Sequence, residues 1–227
     1  MPKKNPRPGP RGLSVEEIVR AAVALQEAEG ERGFTLRKLG AKLGCDPMAV
    51  LYHFGSKTGL ERAMADLLNA ELRPVDPAMP WRDRLADLAR QYRDLALRYP
   101  ETFPLLNRFW VTGPADYRHA EAIYQALEDA GLEDAQLAQI CCGLYASLLG
   151  LAAAELGGLL QPATAENLAE VKALPAEDFP VTSRLLPLYR KQRPGGIYET
   201  MLQTLLDGIE QQVPDRKSGG QKPRRNK

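Results

Sequence analysis

The 227-residue chain has few of the residues that build disulfide frameworks, metal centres or hydrolytic sites. It contains three cysteines, of which Cys141 and Cys142 are adjacent, and only two histidines. Disulfide frameworks and zinc sites need several such residues at characteristic spacings, so the sequence predicts neither. It also lacks a Ser/His/Asp order and a phosphate-binding glycine loop. We therefore expect a protein that is not an enzyme and that has no cofactor and no metal site.

Long hydrophobic runs are missing as well. The longest candidate, residues 144–160, is interrupted by Glu155 and is rich in Gly and Ala. It does not reach the roughly 18–20 uninterrupted apolar residues of a membrane span. The basic N-terminus has no apolar core of the kind that secretory signals contain. We expect no membrane partner and a reducing, cytoplasmic location.

The alternation of apolar and polar residues that marks half-buried strands does not occur either. Apolar residues recur instead at intervals of three and four, so the sequence predicts an all-α protein. We expect two helical domains, an N-terminal one at 13–60 and a C-terminal one at 61–213. A disordered basic arm at 1–12 and a disordered basic tail at 214–227 would flank them.

Charge is distributed unevenly between the two predicted domains. Residues 1–60 hold ten lysines and arginines against six acidic residues, whereas residues 61–213 hold fourteen against twenty-two. A basic head on an acidic body is typical of a protein whose head binds a polyanion.

Capping residues place four short helices in the first 70 residues. Ser14 followed by Glu17 forms a capping box at the start of the first helix, which we expect to end at Gly30. Ser, Thr and Asp are favoured N-caps because their side chains accept hydrogen bonds from free amides of the first turn. The predicted N-caps of the next three helices are Thr35, Asp46 and Ser56.

Residues 35–53 have the pattern of a helix-turn-helix, with Gly40 where the two helices cross and Gly44 in the turn. The second helix is expected to turn Val50 and Phe54 inward. Among its outward residues, Met48 and Leu51 are suited to contact the methyl groups of thymine, and the Tyr52 hydroxyl is suited to bind a phosphate or sugar. These outward residues are Pro47, Met48, Leu51 and Tyr52. Arg37 is placed to reach a guanine edge and Lys57 to reach a phosphate.

The run FTLRKLGAKLGCDPMAVLYHFGSKTGL resembles the N-terminal domain of the TetR family of transcriptional regulators. The resemblance covers residues 18–60, and the body matches only in helicity and in the W-R-x-R-L opening at Trp81. It implies DNA contacts by Thr35, Arg37, Pro47, Met48, Tyr52, His53 and Lys57. Leu51 departs from the usual Tyr and cannot bond a phosphate, so Tyr52 substitutes or one contact is lost. His53 is also interpretable as a capping core residue.

Two stretches near the C-terminus carry stripes suited to a dimer interface. Small residues recur along 134–160, and apolar residues recur along 197–213. We interpret them as halves of an intermolecular four-helix bundle that closes a two-fold homodimer. The alternative is packing within one subunit. The predicted interface residues are Gly143, Ser147, Gly150, Ala154, Gly157, Ile197, Met201, Leu205 and Ile209.

The family resemblance implies that 13–60 is a three-helix helix-turn-helix DNA-binding domain. It also implies that 61–213 is a C-terminal helical domain that dimerises and contains an effector pocket. The aromatic candidates for its lining are Tyr92, Phe103, Phe109, Trp110, Tyr124 and Tyr145. Aromatic residues at such spacing also occur in ordinary cores, which is the alternative. We interpret His119 as a surface histidine, and Cys141 and Cys142 as core residues because no basic neighbour in sequence lowers their pKa.

The sequence therefore predicts a ligand-responsive transcriptional regulator, most simply a repressor. It would bind a palindromic operator in double-stranded DNA as a homodimer and be released by a small, mostly apolar effector. The alternative is a TetR-like DNA-binding protein without an effector that acts in nucleoid organisation or division through a protein partner.

Overall fold

Helices make up all the regular structure of residues 13–213, the part of the chain described by the computed structural model. The predicted all-α fold is confirmed, and the predicted basic arm and tail lie outside the described residues. The α-helices are α1 (Val15–Gly33), α2 (Leu36–Leu43), α3 (Pro47–Phe54), α4 (Lys57–Ala70), α5 (Trp81–Arg98), α6 (Pro114–Ala130), α7 (Asp134–Leu156), α8 (Ala165–Lys172), α9 (Pro180–Tyr189) and α10 (Pro194–Glu210). A 3₁₀ helix, η1 (Phe103–Arg108), lies between α5 and α6.

Helix α1 begins with the predicted capping box. The Ser14 hydroxyl accepts the amide of Glu17 at 3.2 Å, and the Glu17 carboxylate accepts the amide of Ser14 at 2.7 Å. The predicted end at Gly30 is wrong by three residues. Gly30 has φ of +70°, which interrupts the helical geometry, but helical residues resume and continue to Gly33. Gly30 therefore kinks α1 instead of ending it.

The three predicted N-caps that follow are confirmed. The Thr35 hydroxyl accepts the amide of Lys38 at 3.2 Å, and the Ser56 hydroxyl accepts that of Gly59 at 3.0 Å. A carboxylate oxygen of Asp46 accepts the amide of Met48 at 2.8 Å. Caps of this kind each stabilise a helix by about 0.5–2 kcal/mol.

Helices α1 to α4 close around a small apolar core that contains Ile18, Leu39, Val50, Leu60 and Met64, all without solvent exposure. Helix α4 is long enough to leave this unit, and its second half packs against η1 and α6 of the body. The predicted domain boundary at residue 60 thus lies inside one continuous helix. A continuous helix joins the two parts more rigidly than a flexible linker would.

A second connection joins the end of α1 to the start of η1. The side-chain amide of Gln26 donates to the carbonyl oxygen of Glu101 at 2.8 Å. The carboxylate of Glu27 accepts the amide of Thr102 at 2.8 Å. The N-terminal unit is therefore held to the body at two separate places.

Helix α5 forms the centre of the body and packs against α6, α7 and α10. Its Arg93 forms a two-pronged ion pair with Glu155 of α7, with both N–O distances at 2.7 Å. Two hydrogen bonds from one guanidinium offset the cost of removing a carboxylate from water. Glu155, which interrupts the apolar run of α7, is therefore a buried ion-pair partner.

Helix α7 is long and apolar enough to cross a membrane, judged by length and composition alone. One such helix is a weak indication, because core helices of soluble proteins share these properties. One face packs into the core through Leu144, Leu148 and Leu149, whereas the opposite face exposes Gly143 and Gly150.

Helices α8 and α9 pack on each other as a hairpin, closed where the amide of Ala163 donates to the carbonyl of Tyr189 at 3.1 Å. From the sequence alone, the prolines between 161 and 195 leave room for one short helix, near 183–190. Helix α8 begins with a capping box in which Thr164 and Asn167 accept each other's amides. That pair was the available signal for the missed helix.

Candidate nucleic-acid interface and effector site

The crossing of α2 and α3 requires a residue without a side chain. A Cβ atom added at Gly40 would lie 2.8 Å from the carbonyl oxygen of Cys45 and 3.0 Å from the nitrogen of Pro47. The turn itself depends on Gly44, whose φ of +66° is unfavourable for residues with a Cβ. Both glycines therefore fix the angle at which α3 is presented, as the sequence predicts.

The outer surface of α3 is apolar and aromatic. Met48 is 69% exposed and Tyr52 is 84% exposed, whereas Pro47 and Leu51 are partly covered. Val50 is fully buried and Phe54 is partly buried, which confirms the predicted inward face. Exposed large apolar residues on a short helix are consistent with a contact surface.

The histidine at the end of α3 lies in solvent. The His53 ring packs edge-on against its neighbours Tyr52 and Phe54, with ring centroids 6.0 and 6.4 Å apart. Because it is exposed, the structure favours its interpretation as a surface contact over that of a core residue.

The basic residues around this surface differ in their ion pairing. The ammonium group of Lys38 lies 2.6 Å from the carboxylate of Glu29, and that of Lys57 lies 3.3 Å from Glu61. Arg37 is exposed and forms no ion pair with any residue in 13–213. Its guanidinium is therefore available to a ligand without loss of an existing pair.

The six aromatic residues predicted to line an effector pocket do not form one cluster. Tyr92 and Phe103 are fully buried, and Tyr145 packs edge-on against Tyr92 at 5.4 Å between ring centroids. Phe109 is partly buried against the core. Tyr124 and Trp110 are exposed, and Trp110 at 95% lies almost wholly in solvent. Of the six, the structure therefore places Tyr92 and Tyr145 in direct ring contact.

Sequence analysis missed a buried polar group beside these two tyrosines, which we name the Asp116 cluster: Asn69, Tyr92, Asp116, His119 and Tyr145. These residues come from α4, α5, α6 and α7. The Tyr92 hydroxyl lies 3.5 Å from the side-chain oxygen of Asn69. In the sequence, Asp116 and His119 cannot be distinguished from ordinary surface residues. Only the tertiary structure shows that they are buried, with 8% and 7% of their surface exposed.

The prediction that His119 lies on the surface is wrong. Its Nε2 atom lies 2.8 Å from the carbonyl oxygen of Asn69. Because a carbonyl only accepts hydrogen bonds, Nε2 carries the proton. Burial lowers the pKa of His119 and favours the neutral ring.

The joint between α4 and α6 is dense in hydrogen bonds. Arg62 donates through Nε to the carbonyl oxygens of Val111 and Thr112, at 3.0 and 2.9 Å. An oxygen of Asp66 accepts the Thr112 hydroxyl and the Ala115 amide, both at 3.1 Å. These bonds attach α4 to the start of α6.

An open groove of about 590 Å³ runs along this joint. Its walls come from α1, α4 and the start of α6, and none of the six predicted aromatic residues lines it. The lining of this groove therefore does not identify it as the predicted effector site.

The predicted dimer residues divide into exposed and buried sets. On α7, Gly143 and Gly150 are exposed, as is Gly157 directly after it, while Ser147 and Ala154 are partly covered. A Cβ atom added at Gly143 or Gly150 would meet no atom within 4 Å. Close packing inside the subunit therefore does not account for these two glycines.

The α10 set is more deeply covered. Met201 is exposed, Ile197 and Leu205 are partly buried, and Ile209 is almost fully buried inside the subunit. Ile209 accordingly contributes to the core of one subunit.

Cys141 and Cys142 have different environments, although both were predicted in the core. Cys141 is buried, and burial raises the pKa of its thiol to about 11. Cys142 is exposed on α7. A raised pKa keeps Cys141 in its less reactive thiol form.

Comparison with known proteins extends these observations. Residues 73–213 match the sequence profile of the tetracyclin repressor-like C-terminal domain. The chain is 28% identical over 155 residues to an HTH-type transcriptional regulator of Saccharopolyspora erythraea, covering 68% of this chain and 65% of that protein. It is 25% identical over 203 residues to the class A tetracycline repressor from transposon 1721 of Escherichia coli, covering 87% and 90%.

A further relative is the HTH-type transcriptional repressor DrrR1 of Streptomyces coeruleorubidus, at 26% identity over 157 residues. That match covers 68% of this chain and 57% of the relative. The chain thus spans less than two thirds of the length of the S. erythraea and S. coeruleorubidus proteins it matches.

Solved structures with this fold include one described as a transcriptional regulator of Streptomyces coelicolor A3(2), with 30% identity and a TM-score of 0.75, covering 90% of this chain and all of that one. ActR of S. coelicolor in complex with actinorhodin gives a TM-score of 0.80 at 20% identity, over 89% and 99% of the chains. BioQ with its double-stranded DNA operator gives 0.65 at 21%, over 88% and 99%. The likeness to ActR and BioQ shows the fold alone.

Proposed function

The chain belongs to the TetR family of helix-turn-helix transcriptional regulators, and we propose that it is a cytoplasmic repressor released from its operator by a small effector. In this proposal residues 13–60 bind DNA, and residues 61–213 bind the effector and dimerise. The observation that carries it is the outer surface of α3, with Met48 and Tyr52 exposed beside an unpaired Arg37. The relatives are regulators, which supports a role without catalysis.

The proposed DNA contacts divide into reading and positioning. Arg37 reads a guanine edge, while Met48 and Leu51 pack on thymine methyl groups. Tyr52, His53, Thr35 and Lys57 position the helix on phosphates and sugars. Pro47 lies at the start of α3, which we place at the edge of the groove. A proline is tolerated there because the amide hydrogen that it lacks would have no partner within the helix. Lys57 exchanges its carboxylate partner Glu61 for a phosphate.

We propose that the protein dimerises because one recognition helix contacts only half of an operator. Two recognition helices fit successive major grooves about 34–36 Å apart and impose a palindromic operator. We propose that the exposed face of α7 meets its copy and the exposed part of α10 across a two-fold axis. The glycines at 143 and 150, which have open space before them, allow such close approach. Burial of that face also accounts for the apolar character of α7.

Effector release requires that the effector bind the DNA-free conformation more tightly than the DNA-bound one. We propose a small, mostly apolar effector that enters the body beside Tyr92 and Tyr145. The response reaches α3 through α4, which packs against both α3 and α6. Structures with the same fold support this general scheme, since ActR was solved with actinorhodin and BioQ with its operator.

Selection of binding sequences from random double-stranded DNA tests the operator proposal. The purified full chain should enrich a palindrome with two half-sites about one helical turn apart. Fluorescence anisotropy on that operator then tests release with a library of small aromatic compounds. Enrichment of no sequence, with binding equal on all DNA, would favour the alternative of a nucleoid protein. An operator affinity unchanged by every compound would contradict the effector role.

A further inference from the structure

The Asp116 cluster contains a carboxyl group without a compensating cation. Asp116 is 8% exposed, and it forms no ion pair with any Lys or Arg of residues 13–213. One of its oxygens accepts the amide of Thr112 at 2.9 Å. The other accepts no hydrogen bond from the described part of the chain and is not fully enclosed, so a ligand can reach it. Buried carboxylates are normally paired, because desolvation of an unpaired charge is costly.

A second free acceptor lies on the same face of α6. His119 follows Asp116 by three residues, a spacing that places both side chains on one helix face. Its Nε2 carries the proton that bonds to Asn69. The neutral ring therefore has an unprotonated Nδ1, for which residues 13–213 supply no donor.

Two aromatic residues of the cluster, Tyr92 and Tyr145, pack on each other with 5.4 Å between ring centroids. The Asp116 charge contributes to raising the pKa values of Tyr92 and Tyr145, after the larger effect of burial on each. Asn69 connects Tyr92 with His119, since the Tyr92 hydroxyl lies 3.5 Å from its side-chain oxygen and its carbonyl oxygen lies 2.8 Å from His119 Nε2. The hydrogen bond between Tyr92 and Asn69 is long, at 3.5 Å, and is easily exchanged for a better one.

We propose that this cluster is the recognition site of the effector and selects aromatic compounds that carry hydrogen-bond donors, namely hydroxyl or protonated amine groups. The proposal rests on the effector role stated above and names the chemistry of its ligand. A hydrocarbon leaves both acceptors unpaired, and an anionic ligand is repelled by the carboxylate. A ligand hydroxyl has one proton and can donate to either Asp116 or His119, whereas a protonated amine has enough protons for both.

The same cluster connects the ligand to α4. Asn69 is fully buried on α4, where its side-chain amide donates to the Thr112 hydroxyl at 3.0 Å and its carbonyl accepts from His119. A ligand that takes over a bond of His119 or Tyr92 therefore changes the restraints on α4. Since α4 packs against α3, the consequence reaches the recognition helix.

Four compounds on one ring frame test the proposal: 2-naphthol, 2-naphthylmethylamine, 2-naphthoate and 2-methylnaphthalene. Isothermal titration of the full chain should show tighter binding of the naphthol and the amine. We expect a difference on the order of tenfold or more from the hydrocarbon and the acid, as for other sites with buried polar groups. Asp116→Asn should abolish the preference for the amine, and Tyr145→Phe should weaken the naphthol. Glu121→Gln, which is exposed on the same helix, is the matched control.

Two readouts separate this inference from the effector role itself. Equal binding of all four compounds, binding of none up to their solubility limits, or preference for the acid would overturn the donor-recognition proposal. A preference for the amine that persists in Asp116→Asn would overturn it too. Anisotropy on the selected operator reports release separately. Donor-selective binding without release would support this recognition site and contradict the effector role.

Discussion

Asp116 is a residue at which stability and binding are expected to conflict. Burial raises its pKa above the usual range, because desolvation disfavours the charged form. The folded state therefore holds a proton that the unfolded chain releases, and the free energy of unfolding falls as pH rises from the unfolded pKa to the folded one. Above the folded-state pKa, Asp116 is ionised in both states, and the full cost of desolvating its charge lowers the free energy of unfolding.

Replacement of Asp116 by Asn should therefore stabilise the protein at neutral pH. The amide oxygen still accepts the Thr112 amide, while the buried charge is removed. We expect a gain of about 0.5–2 kcal/mol in the free energy of unfolding, measured by urea denaturation at pH 7. The gain should shrink as pH falls through the window above. A loss of stability at pH 7 would show that the ionised form is compensated.

Arg37 is the residue on which base reading is expected to depend. It is exposed and unpaired within the described chain, so Arg37→Ala removes a potential guanine contact without freeing an internal partner. We expect a loss of about 1–3 kcal/mol on the selected operator and relaxed preference at one base position. Competition anisotropy with specific and random DNA measures both. Equal losses on the two DNAs would identify Arg37 as a phosphate contact.

At the scale of elements, the sequence predicts features that depend on near neighbours in the chain, such as helix starts. It does not predict contacts between distant parts of the chain. The caps at Thr35, Asp46 and Ser56 are confirmed because each depends on residues two or three positions away. Gly30 misled the prediction because a glycine with positive φ can kink a helix as well as end it. His119 was misplaced because nothing within one helical turn reveals that Asn69 lies across from it.

The helix crossing at Gly40 provides a test at this scale. Gly40→Ala adds a Cβ atom 2.8 Å from a backbone oxygen, so α2 and α3 must separate. We expect a destabilisation of about 1–3 kcal/mol and a larger loss of operator affinity, measured by denaturation and anisotropy. Gly208→Ala on α10 is the control for stability, since its added Cβ meets nothing within 4 Å. Equal destabilisation by the two substitutions would contradict a close crossing.

At the scale of the whole molecule, the dimer remains a prediction that one substitution can test. Gly150→Leu places a bulky side chain on the exposed face of α7, where the subunit itself offers open space. The subunit should keep its fold and helical content, while the sedimentation-equilibrium mass should fall from dimer to monomer. Operator affinity should fall with it, because one recognition helix contacts only half of a palindrome. An unchanged mass would place the dimer interface elsewhere.

The attachment of the N-terminal unit has a practical consequence for making new regulators. All the side-chain bonds described between this unit and the body come from α1 and α4, such as those of Gln26, Glu27 and Arg62. No side-chain hydrogen bond or ion pair joins residues 35–55 to any described residue beyond 70. This segment should therefore be exchangeable for that of a relative without disturbing the body. Under the proposed function, such a chimera would bind the operator of that relative and be released by the effector of this protein.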